Sequence, residues 1–180
     1  MKRYLWTLAC LSALTAVGCG SDPSKPDPAP TPKIPAGSTI AVVSFADCMI
    51  KDQDDCAGSG DIATSIFMTQ LGTSKVFHLV QLSRPVGTKE DLSNQAAADY
   101  AKSKGYAYVL NGEVTDFYKV SAMAAWGRKE RGGIKVYLLD SADGKVIYEH
   151  VDMDTASALS SPQGILKSMA DDVRDDIEGN

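Results

Sequence analysis

The chain has 180 residues, with 18 lysine and arginine residues and 23 aspartate and glutamate residues, which gives a formal net charge of −5. Nucleic-acid binding depends on basic surface that faces phosphates, so this acidic balance argues against a nucleic-acid partner. The length is sufficient for one domain with its own hydrophobic core.

The first 18 residues have the pattern of an export signal. Lys2 and Arg3 precede an apolar run from Leu5 to Val17, which is shorter than the roughly 20 residues that span a bilayer. A basic start, a short apolar middle and small residues before a break are typical of a secretory signal. We therefore predict that residues 1–18 are removed, which takes away two cations and leaves a net charge of −7. A buried N-terminal helix is the alternative.

Cys19 ends the run Ala16-Val17-Gly18-Cys19, which resembles a bacterial lipobox, where the cysteine thiol is acylated before cleavage. The sequence therefore predicts Cys19 as the lipidation site and the membrane as a partner, because two or more acyl chains anchor a protein stably. Ala16 stands where leucine is usual, so ordinary cleavage near Gly18 is an alternative. Gly20, rather than aspartate, follows the cysteine. We expect an outer-membrane anchor with the domain facing the periplasm, and the inner membrane and the cell surface are the alternatives.

A proline-rich stretch separates the anchor from the rest of the chain. Residues 19–37 contain Pro23, Pro26, Pro28, Pro30, Pro32 and Pro35. Such a segment favours extended polyproline geometry and behaves as a semi-rigid tether that reaches roughly 55 Å. It either lifts the domain clear of the lipid headgroups or lets it reach a partner across the periplasm.

Cys48 and Cys56 are the two cysteines of the remaining chain. An even pair in an exported chain predicts a disulfide, and closing so short a loop contributes about 2.5 kcal/mol in the chain-entropy treatment. Free thiols are one alternative. A metal or redox centre is another, but neither histidine nor further cysteine lies near in sequence, and zinc generally takes four such ligands.

Residues 38–180 alternate between two periodicities. "STIAVVSF" predicts a buried strand, "DIATSIFMTQLG" a helix capped by Asp61 and stopped by Gly72, and "KVFHLVQL" a second strand. "TKEDLSNQAAADYAKSKG" predicts a second helix, which begins at Thr88 and ends at Gly105.

The last third of the chain predicts three strands and a closing helix. "YAYVLNGEVTDFY" begins as a strand, and "GIKVYLLDSADGKVIYEHVDM" predicts a hairpin with Gly144 at positive φ. "SSPQGILKSMADDVRDDIEG" predicts a helix with Ser161 as its cap and Pro162 in its first turn. The order βαβαβββα predicts a single α/β (α+β) domain, three-layer-like, with a mixed sheet flanked by helices.

Three of these stretches also resemble a known group of periplasmic domains. "KGYAYVLNGEVTDF" resembles the helix-to-strand signature of the superfamily that includes the TolB N-terminal domain, CsgG and LpoB-like lipoproteins. "VYLLDSADGKVIYEH" resembles their next hairpin, and "SKVFHLVQL" stands where their second strand lies. The resemblance implies a domain that works by contacting other envelope proteins. Pore formation, as in curli-type members, is not expected, because "YKVSAMAAWGRKERGG" is too short and charged for a membrane hairpin.

The connection around Trp126 is the predicted contact site. Trp126 stands beside Arg128, Lys129 and Arg131 in a glycine-flanked stretch, and tryptophan and arginine are enriched in binding hot spots. The alternative is a strand extension whose tryptophan packs on the domain and whose charges face solvent.

Catalytic and metal sites are not predicted. His78 and His150 are single histidines within strands, and no nucleophile–base order or phosphate-binding glycine loop occurs. Asp52, Asp54 and Asp55 lie between the cysteines without the glycine and distal glutamate of a calcium loop. The sequence therefore predicts no cofactor and no enzyme. It predicts a lipid-anchored envelope lipoprotein that acts as a protein-interaction or accessory module in envelope or cell-wall assembly. The alternative is a periplasmic binder of a small ligand or metal, with a cleft near the cysteine loop.

Overall fold

The predicted order of elements is confirmed by a computed structural model, which describes residues 34–51, 53–120, 129–156 and 160–179. The elements are β1 (Ser38–Val43), a 3₁₀ turn (Asp54–Cys56), α1 (Ser59–Leu71), β2 (Phe77–Leu82), α2 (Asn94–Ser103), β3 (Tyr108–Tyr118), β4 (Glu130–Asp140), β5 (Val146–Ala156) and α3 (Pro162–Glu178). The fold class is the predicted one, a single α+β domain built around a mixed sheet.

The five strands form one sheet in the order β2-β1-β3-β4-β5. β1 runs parallel to β2 and to β3, whereas β3, β4 and β5 form an antiparallel meander. β3, β4 and β5 have 11 residues each and β1 has six. The meander therefore extends beyond the end of β1.

The two faces of the sheet carry unequal cores, because alternate residues of a strand point to opposite faces. Ile40 and Val42 belong to the larger core under α1 and α3. Ala41 and Val43 belong to a smaller core under α2 that includes Leu139 of β4 and no residue of β5. The α2 side of the sheet is therefore covered only in part.

Two helices begin elsewhere than the sequence predicts. α1 starts at Ser59, so Asp61 lies in its first turn instead of capping it. The buried carboxylate of Asp47 accepts a hydrogen bond from the Gly60 N–H at 2.8 Å and satisfies this helix end. α2 starts at Asn94 with Ser93 as its cap. Residues 88–92 form a loop, so the predicted start at Thr88 is wrong by six residues.

α3 and the β4–β5 hairpin agree with the sequence more closely. The Ser161 hydroxyl accepts a hydrogen bond from the Gly164 N–H at 3.1 Å, and Pro162 is the first helical residue. Gly144 takes φ 73° in the hairpin turn. β4 starts at Glu130, so Arg131 belongs to a strand and not to the predicted connection.

The helices of the described ranges are all too short or too polar to cross a bilayer.

Candidate functional site

The loop after β1 is closed by a disulfide bond. The structure pairs Cys48 with Cys56, as the sequence predicts, with their Cα atoms 5.0 Å apart. The Ser59 hydroxyl accepts a hydrogen bond from the Cys48 N–H at 3.0 Å, which joins the loop to the start of α1. Met49 and Ile50 point away from the domain, and Met49 is 70% exposed.

This disulfide loop covers the edge of β3 where β1 has ended. The Gln53 side-chain amide donates a hydrogen bond to the Phe117 carbonyl. A carboxylate oxygen of Asp55 accepts one from the Lys119 N–H at 3.1 Å. Because unpaired strand edges are templates for unwanted pairing, the loop protects the meander at this edge.

On this side of the sheet, α2 reaches β4 only at Leu139 and Tyr137. Within the described ranges no helix covers the rest of β4 and β5, and we name this region the open face. It carries Lys135 of β4 beside Glu149, Val151 and Met153 of β5, and Val151 is the cross-strand partner of Lys135. Val151 and Met153 are 60% and 65% exposed. Two large apolar side chains therefore stand in solvent on adjacent positions of one sheet face.

β5 is also an edge strand, and its outer backbone is partly occupied by its own side chains. The Met153 N–H donates to a carboxylate oxygen of Asp152 at 2.8 Å, and the Thr155 N–H donates to that of Asp154 at 2.6 Å. Alternate N–H groups of an edge strand point away from the neighbouring strand. An N–H group that donates to the side chain of the preceding residue, and not to a carbonyl oxygen of β4, therefore points to the outer edge. These aspartates therefore cover two of the outward donors of β5, the Met153 and Thr155 N–H groups.

The residues of the predicted contact site are only partly within the described ranges. Arg131 pairs with the buried Asp116, whose Oδ2 lies 2.8 Å from the arginine Nε, and its guanidinium stacks 4.8 Å from the centre of the Tyr118 ring. Arg131 thus lies in a strand extension, as the alternative interpretation expects, but its charge contacts Asp116 and Tyr118 of its own domain instead of facing solvent. Lys129 is exposed immediately before β4.

Three predicted site residues lie outside the described ranges. They are Cys19, Trp126 and Arg128.

The two histidines lie on opposite edge strands, His78 in β2 and His150 in β5, so they do not form a joint site. The Tyr148 hydroxyl donates to a carboxylate oxygen of Asp176 at 2.7 Å and lies 3.2 Å from His150 Nδ1. Burial of the phenol, together with the Asp176 hydrogen bond, raises the pKa of Tyr148 well above its ordinary value. This cluster joins β5 to α3.

A Tyr148→Phe substitution provides a test of that connection. We expect the variant to lose about 1 kcal/mol of unfolding free energy at pH 8, because the Asp176 hydrogen bond is lost. The unfolded chain releases the phenol proton near pH 10 while the folded chain keeps it, so the stabilising contribution of Tyr148 falls as the pH rises above 10. Urea unfolding should show that the difference in unfolding free energy between the wild type and Tyr148→Phe is smaller at pH 11 than at pH 8. A constant difference would contradict this account.

A cleft of about 440 Å³ lies at the cysteine loop, where the sequence predicts one, and Cys48, Cys56 and Lys89 are among its lining residues. A second, smaller cavity lies at the start of α2. Its volume is about 180 Å³, and Arg84, Asn111, Glu113 and Lys135 are among its lining residues. Asn111 is 5% exposed. Its amide nitrogen donates to the Leu92 carbonyl at 3.0 Å, and its Oδ1 has no hydrogen-bond partner among the described residues.

The Arg84 guanidinium beside this cavity is held by backbone carbonyl groups. It donates to the carbonyl oxygens of Ser44, Gly87 and Glu90, and burial lowers the pKa of Arg84. Arg84 thus fastens the loop between β2 and α2. Across the described part of the chain, no three histidine, cysteine or acidic side chains are grouped closely enough to hold a metal ion.

These observations define a class: a three-layer α+β domain whose polar clusters hold the fold together and whose open face and β5 edge stay accessible. No protein-family model matches the sequence, and a search of curated proteins finds no match.

Solved structures show the same fold. The PelC dodecamer from Paraburkholderia phytofirmans matches with a TM-score of 0.58 at 22% identity, over 82% of this chain and 91% of that chain. The hypothetical protein CT253 from Chlamydia trachomatis matches with a TM-score of 0.51 at 12% identity, over 81% of this chain and 100% of that chain. The LpoB C-terminal domain from Salmonella enterica matches at 0.46 and 16% identity, over 68% and 86% of the two chains. Identities this low show a shared fold and not a shared family, so membership of the TolB, CsgG and LpoB-like superfamily stays a prediction.

Proposed function

We propose that this chain is a lipid-anchored envelope protein whose folded domain is a protein-interaction module. In this proposal residues 1–18 direct export, Cys19 carries the acyl chains, residues 19–37 are the tether and residues 38–180 contact a partner. The role is accessory and not enzymatic.

The observation that carries this proposal is the open face. Val151 and Met153 remain 60% and 65% exposed where a helix would ordinarily cover a sheet, and exposed apolar surface next to polar residues is characteristic of interaction sites. Arg131 pairs with Asp116, and Tyr148 bonds to Asp176. Both contacts lie within the domain, so these polar groups already have internal partners. The Cys48–Cys56 disulfide supports an exported location. PelC, which has this fold, is a dodecamer.

A Cys19→Ser substitution tests the anchor. We expect the wild-type protein to sediment with membranes and its N-terminal peptide to begin at an acylated Cys19, whereas the variant is recovered in the soluble periplasmic fraction. Mass spectrometry of the N-terminal peptide from the native host provides the measurement. An N-terminal peptide with a free Cys19 thiol, or one that begins elsewhere, would refute the anchor. Cys48→Ser is the control, because it removes a cysteine and leaves the anchor in place.

Photo-crosslinking in the native envelope tests the partner. A photoreactive residue at Val151 or Lys129 should give a discrete adduct, and the same residue at Lys104, which is exposed after α2, should not. A Trp126→Ala, Arg128→Ala variant should lose the adduct from Lys129 while its circular dichroism is unchanged. Equal adducts from all three positions, or none, would contradict an interaction module.

The second candidate function is binding of a small polar ligand, which the cavity at Asn111 favours. A ligand that binds only the folded protein raises its unfolding temperature, so a thermal-shift screen of amino acids, sugars and divalent cations tests it. A shift that is lost in Asn111→Leu would support this function over the interaction module.

A further inference from the structure

Within the described ranges, the outer edge of β5 is the longest backbone edge of the sheet that no other strand covers. β5 is the last strand in the sheet order and has 11 residues, whereas β2 at the opposite edge has six. The described β5 residues contain no proline, and the register irregularity between Leu138 and Leu139 lies opposite its first residues. Residues 150–156 therefore keep the straight geometry that another strand requires.

The side chains of this segment alternate in chemistry. Val151 and Met153 project from the open face, as partners of Lys135 and Gly133, whereas Asp152 and Asp154 project from the other face. All four are exposed. A strand that paired here would meet apolar groups on one face and carboxylates on the other.

The aspartates decide which strand this edge accepts. Asp152 and Asp154 give the segment two negative charges, and Glu149 just before it adds a third nearby. A second copy pairing edge to edge would therefore place carboxylates against carboxylates. Like charges on neighbouring strands are destabilising, and opposite charges contribute roughly 0.2–1 kcal/mol a pair. The edge is therefore closed to self-pairing and complementary to a basic segment.

We propose that the β5 edge from Val151 to Thr155 binds an extended basic segment of a partner protein as a sixth strand. This rests on the proposed function and names its contact. Lysine or arginine side chains of the segment draw the Asp152 and Asp154 carboxylates away from the Met153 and Thr155 N–H groups. Those two N–H groups then donate to carbonyl oxygens of the added strand, and apolar residues of the segment pack on Val151 and Met153.

Fluorescence anisotropy with two synthetic peptides tests this edge. One is an eight-residue peptide that alternates lysine and valine, and the other alternates glutamate and valine. Both have blocked termini and are titrated with the mature chain at 0.15 M salt, a roughly physiological ionic strength. We expect the lysine peptide to bind and the glutamate peptide not to bind. Amide resonances of Met153 and Thr155 should shift on addition of the lysine peptide.

Two variants separate strand addition from general attraction to an acidic protein. Met153→Pro removes an outward N–H and leaves the bonds to β4, because proline is tolerated on strand edges, and it keeps every charge. Asp152→Asn with Asp154→Asn removes the charges and keeps the backbone. Each should weaken binding roughly tenfold. The matched control is Asp143→Asn with Asp172→Asn, which removes two exposed charges from the hairpin turn and α3.

An unchanged affinity of Met153→Pro for the lysine peptide would overturn the proposal. Equal losses of affinity in the Asp152→Asn, Asp154→Asn variant and in the Asp143→Asn, Asp172→Asn control would overturn it too. No binding of the lysine peptide would overturn it as well. If photo-crosslinking still captured a partner in either case, the interaction module would stand and only its location on β5 would be wrong.

Discussion

Gly60→Ala is expected to destabilise the domain by about 3 kcal/mol, because the first turn of α1 packs directly against the backbone of Phe45 and Ala46. A Cβ atom at Gly60 would stand 2.3 Å from the Phe45 carbonyl oxygen and 2.8 Å from the Ala46 carbonyl carbon. These atoms cannot move freely, since the Phe45 N–H donates to the Thr64 hydroxyl at 2.8 Å and its ring packs against Phe67. The added methyl group would also separate Asp47 from the helix end that it caps.

Thermal unfolding followed by circular dichroism measures this effect, and we expect the melting temperature to fall by roughly 10 °C. Gly164→Ala is the matched control, because Gly164 also lies in the first turn of a helix. Its Cβ would meet only the Ser161 hydroxyl, at 3.6 Å. The control should unfold within about 0.5 kcal/mol of the wild type. Equal melting temperatures for the two variants would show that the contact with Phe45 is not tight.

The second large effect is expected from a Cys48→Ser, Cys56→Ser variant. Loss of the disulfide should lower the unfolding free energy by about 2.5 kcal/mol in urea, through the entropy of the unfolded chain. A local effect should accompany it. The Lys119 N–H bonds to Asp55 within the loop, so its hydrogen exchange should accelerate by more than that of the Val114 N–H, which bonds to the Ala46 carbonyl.

Dithiothreitol added to the wild-type protein should reproduce both changes and should leave the serine variant unaffected. Hydrogen exchange at Lys119 that is the same in both proteins would mean that the loop stays on β3 without its crosslink. The disulfide would then stabilise only through the unfolded chain.

Features with local signals could be predicted from the sequence. α3 shows its start through Ser161 and Pro162, and the hairpin shows its turn through Gly144, because capping and turn geometry depend on a few neighbouring residues. The cysteine pair is equally visible, since Cys48 and Cys56 are the two cysteines outside the proposed signal and anchor.

Features that depend on contacts between distant parts of the chain could not be predicted from the sequence. Asp47 caps a helix 13 residues further on, and this contact exists only because the loop folds back from β1. α2 starts at Asn94 because Leu92 is buried beside it on the sheet, which the polar run from Thr88 does not reveal. The roles of Asp152 and Asp154 depend on β5 being an edge strand, and sheet order is not visible in a single strand.

The direction of the strands has a consequence for how the domain is presented. The chain enters the domain at Ser38, and β1, β3 and β5 all run away from that entry point. β3 carries the chain roughly 35 Å to a far pole, where the disulfide loop, Lys129 and the second half of β5 are gathered. Because all three lie at that pole, a single partner bound there would contact them together.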